Sequence, residues 1–210
     1  LEKDTTLLES LGVHFVFAPT AEEMYSAEEM QARFSFDFNG LDEVMEGKMR
    51  PGHFNGVVQV LSRLFELVRP TRAYFGEKDF QQLAIIRHMV EHSTLSSNFN
   101  NLKIVGCPIV REASGLALSS RNERLSDNEK QTAVAISQTL IASLEWAKTD
   151  SLEEVQKRVV DTINAIDGLE VEYFEIVDKT TLQPTTTFDN AIGCVTVYCG
   201  PVRLIDNIQY

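Results

Sequence analysis

The stretch Arg72-Ala73-Tyr74-Phe75-Gly76-Glu77-Lys78-Asp79-Phe80-Gln81-Gln82 admits few folds, because strand-forming residues break at a glycine, turn through three polar residues and run into a helix. Beyond the break, Leu83, Ile86, Met89 and Val90 recur at helical spacing, which predicts an amphipathic helix over 79–92. A helix start offers unpaired N–H groups and the positive end of the macrodipole, both favourable to a phosphate or carboxylate. Gly76 lets a ligand come close to the backbone, and Lys78 brings a movable positive charge. Asp79 and Gln82, three apart, also fit a plain capping box worth ~1 kcal/mol and carrying no function.

Around this stretch the chain alternates strand and helix, then changes character near residue 110. Leu7, Leu8 and Leu11 form a stripe ending at Gly12, and residues 13–18 read as a buried strand with His14 a core or edge histidine. The acidic segment 21–29 reads as a solvated helix or loop. Phe34, Phe36 and Phe38 alternate with polar residues, predicting a strand whose apolar face suits a subunit contact. A turn carrying Arg50, Gly52 and His53 leads into a helical pattern from Val57 to Val68, so Arg50 and His53 stand at a second helix entrance. Capping or packing is the plainer role for a lone histidine there.

Downstream, a polar loop is expected over 93–101, a strand over 102–110, and a Gly/Ser/Arg-bearing loop over 111–122. Ser126 with Glu129 and Ser151 with Glu154 predict capping boxes opening helices over 127–148 and 152–166. The alternation begun at Val171 and Tyr173 slips phase at Phe174 and Ile176, which indicates a β-bulge. After a loop over 180–190, an apolar run over 191–199 and a Gly200-Pro201 turn predict two final strands. The expected architecture is α/β: the remainder of a Rossmann-like, parallel-sheet nucleotide-binding domain over 1–110, and a smaller α+β domain with antiparallel strands over 111–210. The first part offers about three strands, fewer than a usual sheet of five or six, and together with a start at Leu1 this leads us to expect a fragment.

Composition narrows the partners. With 210 residues, 43% of them hydrophobic, the chain can bury a substantial core, and its longest apolar runs fall short of the ~20 residues a spanning helix needs. The charged, polar amino end shows no signal peptide. A net charge of −12 disfavours wrapping nucleic acid, and no membrane partner is expected. Cys107, Cys194 and Cys199 show neither metal spacing nor an even disulfide count, so a reducing cytoplasm is the expected setting.

Ligands of open α/β sheets sit beyond the carboxyl ends of strands, where both polar loops fall. A triphosphate between them would meet Lys78 from one side and Arg121 from the other, with Ser119, Ser120 and loop N–H groups as further donors. That arrangement suits displacement at phosphorus by an anionic nucleophile, where bound cations offset the repulsion. Taken alone, Ser119-Ser120-Arg121-Asn122 is more simply an ordinary polar linker between domains. No P-loop, GxGxxG or GxSxG elbow occurs.

Four blocks together resemble the pantothenate synthetase (pantoate–β-alanine ligase) family: Glu46-Gly47-x-x-Arg50-Pro51-Gly52-His53-Phe54-x-Gly56-Val57, Phe75 to Leu83, Gly115 to Asn122, and Arg203-Leu204-Ile205-Asp206-Asn207. The resemblance implies ATP-dependent condensation of pantoate with β-alanine through pantoyl adenylate, with Mg2+ carried on the ATP, in a homodimer with a carboxyl-terminal lid. By motif, Gly76, Glu77, Lys78 and Asp79 would bind ATP, with Lys78 on phosphate and Asp79 near the ribose. Val110 would contact adenine, Leu118, Ser119, Ser120 and Arg121 would close on the phosphates as a mobile KMSKS-like loop, and Gln82 would hold pantoate. Lys78, Ser119, Ser120 and Arg121 would be the catalytic set, and Arg50 and His53 would lie near the acid and amine substrates; no metal-ligating residue is implied. The family's Met-Gly-x-Leu-His-x-Gly-His signature and the Asn/Gln block after it do not occur, so a truncated chain without turnover of its own is expected, the reaction belonging to the full-length protein. Two other readings stand beside it: a non-catalytic dimerising or lid module, and another adenylate-forming nucleotidyltransferase of the same superfamily.

Overall fold

The computed structural model describes residues 1–31, 34–92, 99 and 101–210. They fall into two compact units, Leu1–Ser35 and Phe36–Tyr210.

In the first unit, helix α1 (Glu2–Ser10) closes at Leu11 and turns through Gly12 at φ +78°, a conformation that favours glycine. Helices α2 (Ala21–Met24) and α3 (Ala27–Gln31) occupy the acidic segment. Thr20 and Glu23 form a reciprocal capping box at α2, and Ser26 and Glu29 exchange the same bonds at α3. The strand expected over 13–18 does not form. Those residues make no ladder, Phe15 is 92% exposed, and His14 is exposed as well. An apolar run marks a surface that needs covering but supplies no hydrogen-bonding partner, and a strand exists only as part of a pair.

The segment 34–38 keeps its alternation as burial: Phe38 is buried and Ser35 and Asp37 are exposed. It is not a strand either, because its backbone is satisfied by side chains. Phe36 N–H donates to Asn55 Oδ1 (3.1 Å), and the Asp37 carbonyl meets His88 Nε2 (3.1 Å).

In the second unit, α4 (Met45–Met49) and α5 (His53–Val68) precede β1 (Arg72–Gly76). A 3-10 turn over Glu77–Asp79 opens α6 (Phe80–His92), which crosses over to β2 (Lys103–Cys107). β1 and β2 pair in parallel from Arg72↔Lys103 to Gly76↔Cys107, so the described parallel sheet has two strands rather than three. α5 buries Phe54, Val58 and Phe65, and α6 buries Phe80, Leu83, Ile86 and Met89. Residues 93–98 and 100 of the expected polar loop lie outside the described residues.

Beyond β2 the chain folds as anticipated. The Ser126 and Ser151 capping boxes are both made, opening α7 (Asp127–Trp146) and α8 (Leu152–Asn164). Both helices end about two residues early, in turns. The antiparallel sheet has the order β3 (Leu169–Asp178), β4 (Ala191–Cys199), β5 (Val202–Gln209).

Its central strand β4 is buried nearly throughout because both of its faces are covered. Ala191, Val195, Val197 and Cys199 pack with α7 and α8, while Cys194 and Thr196 turn toward the segment that carries Arg50 and Lys78. The register of β3 on β4 shifts between Val171 and Tyr173, the anticipated bulge. Its effect is functional. Val171 and Phe174 both reach the helix-side core although three positions apart, and the consecutive residues Glu172 and Tyr173 both hydrogen-bond on the opposite side.

Candidate active site

Two clefts share a wall. The first is lined by Glu46, Arg50, His53, Lys78, Asp79 and Gln82 against Tyr173, Cys194, Ile205 and Asp206. The second, narrower, is lined by Lys78, Ser119, Arg121 and Asn122 with Ser137, Leu204, Ile205 and Asp206. Lys78 and the Ile205-Asp206 pair belong to both. The two helix entrances and the arginine-bearing loop, separate in sequence, therefore meet around one lysine.

Each entrance is built by local chemistry. Gly52 at φ +82° supplies the left-handed turn that starts α5 at His53. Gly47 is buried with the Asp42 carbonyl where a side chain would go, so α4 packs flush on residue 42. Gln81, buried, donates from Nε2 to the carbonyls of Leu41 (2.7 Å) and Val44 (2.9 Å) and accepts from Glu46 N–H (2.9 Å). It thereby ties the Arg50 entrance to α6. Asp79 and Gln82 make no capping box; α6 is entered through the 3-10 turn, and Asp79 instead stands 3.5 Å from Lys78 Nζ. Gly76 is extended (φ −70°), with open space where a Cβ would stand, so its value is clearance and not conformation.

Strand β5 holds all of these segments. Asn207 Nδ2 donates to the carbonyls of Glu77 (2.8 Å) and Lys78 (3.0 Å), fixing the turn that presents the lysine. Asp206 takes a bidentate Arg111 (2.6 and 2.9 Å) at the root of the loop over 111–121. Arg203 is shared by Glu46 and Glu172, and its carbonyl accepts from Arg121 Nη1 (3.2 Å). The loop itself is a small hairpin: Arg111 pairs with Ala117, Leu118 N–H donates to the Val110 carbonyl (2.9 Å), and Gly115 turns at φ +96°.

Charge is tuned accordingly. Burial pushes the Glu46 carboxyl up, but the hydrogen bonds and charge of Arg203, helped by the Tyr173 and Thr196 hydroxyls, hold it below the usual value. Burial and then the Arg50 guanidinium lower the His53 imidazole, against the opposing pull of Glu46 and Asp79, so its neutral form persists further into acid. Burial, followed by nearby carboxylates, pushes the Cys194 thiol up to about 12, which makes it an unreactive wall of the cleft. Asn122 donates to Glu112 (3.1 Å) and the Ala117 carbonyl (3.0 Å), while its buried Oδ1 has no partner among the described residues, leaving an acceptor in the second cleft's wall.

Of the residues singled out in the sequence, Arg50, His53, Lys78, Asp79 and Gln82 gather in the first cleft, and Lys78, Ser119 and Arg121 in the second. Gly76, Val110, Leu118 and Ser120 are exposed and line neither, and Glu77 contributes its carbonyl to Asn207. Sequence reasoning gave no role to Glu46, Gln81, Tyr173, Arg203, Asp206 or Asn207. All but Tyr173 lie inside the blocks that carry the family resemblance, and Arg203, Asp206 and Asn207 also stand out as charged and amide residues in a terminal strand.

The whole chain can be set against known proteins. It matches the family model described as pantoate-beta-alanine ligase over residues 1–209. It is 58% identical to the pantothenate synthetase of Phocaeicola vulgatus and 54% identical to that of Bacteroides fragilis, in each case over 100% of this chain and 73% of the relative. Among solved structures, pantothenate synthetase from Thermus thermophilus superposes with a TM-score of 0.89 at 40% identity, covering 99% of this chain and 74% of that one. Pantoate-beta-alanine ligase from Francisella tularensis, complexed with beta-gamma ATP and beta-alanine, gives 0.73 at 30% identity, covering 99% and 69%. Family model, sequence identity and fold agree over nearly the whole chain, and the chain belongs to the pantoate-beta-alanine ligase family.

Proposed function

We propose that these residues serve ATP-dependent condensation of pantoate with β-alanine, and one observation carries the reading: Lys78 is the common wall of two clefts with different linings. The cleft with Ser119 and Arg121 suits a polyphosphate, and the cleft with Arg50, His53 and Gln82 suits a small hydroxy acid. At their junction a carboxylate oxygen of pantoate attacks the α-phosphorus, the bond to the pyrophosphate oxygen breaks, and pantoyl adenylate forms. The amine of β-alanine then attacks the acyl carbon and AMP leaves. Lys78 and Arg121 offset the approach of one anion to another and stabilise charge on the phosphoryl oxygens, a contribution that is positional and electrostatic, without a covalent enzyme intermediate.

In the same proposal Asp79 lies near the ribose, Gly76 and Glu77 flank the nucleotide, Val110 contacts adenine, and Leu118, Ser119, Ser120 and Arg121 close on the phosphates, the two serines donating to them. Magnesium comes with ATP in this reading, on the family resemblance. The division near residue 110 into a nucleotide-binding part and a lid part, a homodimer and a cytoplasmic setting belong to this reading, on the family resemblance.

The test is pyrophosphate–ATP exchange in the natural polypeptide that carries these residues. Exchange should require pantoate but not β-alanine, and Lys78→Ala should reduce it by a factor on the order of 100 or more, as removal of a preorganised charge stabiliser does. Gln82→Ala should weaken pantoate more than ATP. Exchange independent of pantoate, or a Lys78→Ala variant of full activity, would overturn the proposal.

A further inference from the structure

We propose that Arg203 is a positioning residue: by occupying the Glu46 carboxylate it keeps Arg50 free to receive the carboxylate of the acid substrate. The inference rests on the reading above, in which Arg50 serves that acid. Glu46 stands in the first turn of α4 and Arg50 just past its last, an i,i+4 spacing at which a carboxylate and a guanidinium ordinarily close on one another. Here they form only a loose ion pair: Arg50 Nη1 stands 3.7 Å from Glu46 Oε2 without a hydrogen bond, and its side chain is 42% exposed in the first cleft.

The reason is occupancy. Arg203 Nη1 takes Glu46 Oε2 at 2.9 Å and Nη2 takes Oε1, while the hydroxyls of Tyr173 (2.9 Å) and Thr196 (3.2 Å) fill the rest of Oε1. Arg203 is itself fixed by Glu172, at 2.8 Å from Nε, and Tyr198 OH braces Glu172 from the other side (3.3 Å). The clamp is largely shielded, with Arg203 17% and Glu46 14% exposed, whereas Arg50 is the open member. Removing the Arg203 charge leaves a shielded carboxylate with one cation in reach. Arg50 then turns onto Glu46 and away from the cleft.

The experiment is steady-state kinetics on the natural polypeptide bearing these residues, with circular dichroism to confirm folding. Arg203→Met should raise the KM for pantoate by roughly tenfold or more, the scale of a lost charge-assisted hydrogen bond, while the KM for ATP holds. Adding Glu46→Gln in the same chain should bring the pantoate KM back toward the parent, because a neutral amide no longer draws Arg50 away. A purely structural role predicts the opposite, since two cuts in one network damage more than one. Where Arg203→Met fails to fold, Arg203→Lys with and without Glu46→Gln carries the same comparison. Arg50→Gln is the control. If it leaves the pantoate KM unchanged, the reading of Arg50 falls and this inference with it. If Arg50→Gln raises the KM but Arg203→Met does not, or the double variant shows no recovery, the inference alone is overturned.

Discussion

The grip of Asn207 on the Lys78 turn can be measured directly. Its buried amide donates to two consecutive carbonyls, Glu77 at 2.8 Å and Lys78 at 3.0 Å, and Asn207→Ala removes both bonds at once. Each is worth about 1 kcal/mol net, and stranding part-buried carbonyls adds to the cost, so a loss of about 2–3 kcal/mol is expected. With a urea slope of about 1–3 kcal/mol per molar, the unfolding midpoint should fall by about 1 M. The single tryptophan, Trp146, lies under the Arg158 guanidinium at 4.2 Å and gives a fluorescence reporter within the same compact unit.

Asn207→Asp sharpens the test. Protonated, the new acid can still donate one bond; ionised, it faces two carbonyl oxygens, with Asp206 adjacent in the chain. Its folded-state pKa must therefore lie above the unfolded value of about 3.9. An acid raised on folding is least costly below its unfolded pKa, so the deficit against the parent should open above about pH 4. It should then grow by up to about 1.4 kcal/mol per pH unit until the raised pKa is passed. A midpoint unmoved by Asn207→Ala, or an Asn207→Asp deficit flat from pH 4 to 7, would refute the idea that this amide holds the turn.

Gly47→Ala should destabilise by about 3 kcal/mol or prevent folding, because its Cβ would lie 2.1 Å from the Asp42 carbonyl oxygen and backbone cannot step aside as a side chain can; a thermal melt decides it. Glu46, lowered from the usual 4.5 in the fold, contributes stability that is present above that value and lost as pH falls through its depressed one, so melting temperature should drop in acid. Glu46→Gln should flatten that part of the pH profile, and an unchanged acid limb would show that the Arg203 clamp is not its source.

What could be read in the sequence was what local spacing encodes. The Ser126 and Ser151 caps, a β-bulge in the third strand (read from the phase slip at Phe174 and found between Val171 and Tyr173), the strand over 191–199 and the turn at Gly200 each depend on residues within a few positions of one another. The helix entrances at His53 and Lys78 were visible for the same reason. The apolar run over 13–18 and the alternation at Phe34, Phe36 and Phe38 failed as strands because pairing is decided by a partner that the run itself does not name. The clamps of the candidate site were hidden more deeply. Arg203 lies 157 positions from Glu46 and Asn207 lies 130 from Glu77, and no periodicity spans such distances.

Those long-range clamps also constrain how the clefts can close. A carboxyl-terminal lid swinging as one body about residue 110 would have to part Arg203, Tyr173 and Thr196 from Glu46, and Asn207 from the turn at Lys78. Several of these bonds are charge-assisted and shielded, and breaking them together would cost more than a single ligand's closing contacts readily return. A movement of residues 112–121 leaves β5 in place and parts fewer charged groups, but it still releases Arg121 from the Arg203 carbonyl, separates Asn122 from Glu112 and the Ala117 carbonyl, and draws buried Leu116 from the core. Strand β5 is thus the element that fixes the turn at Lys78, and closure of either cleft has to be accommodated around it.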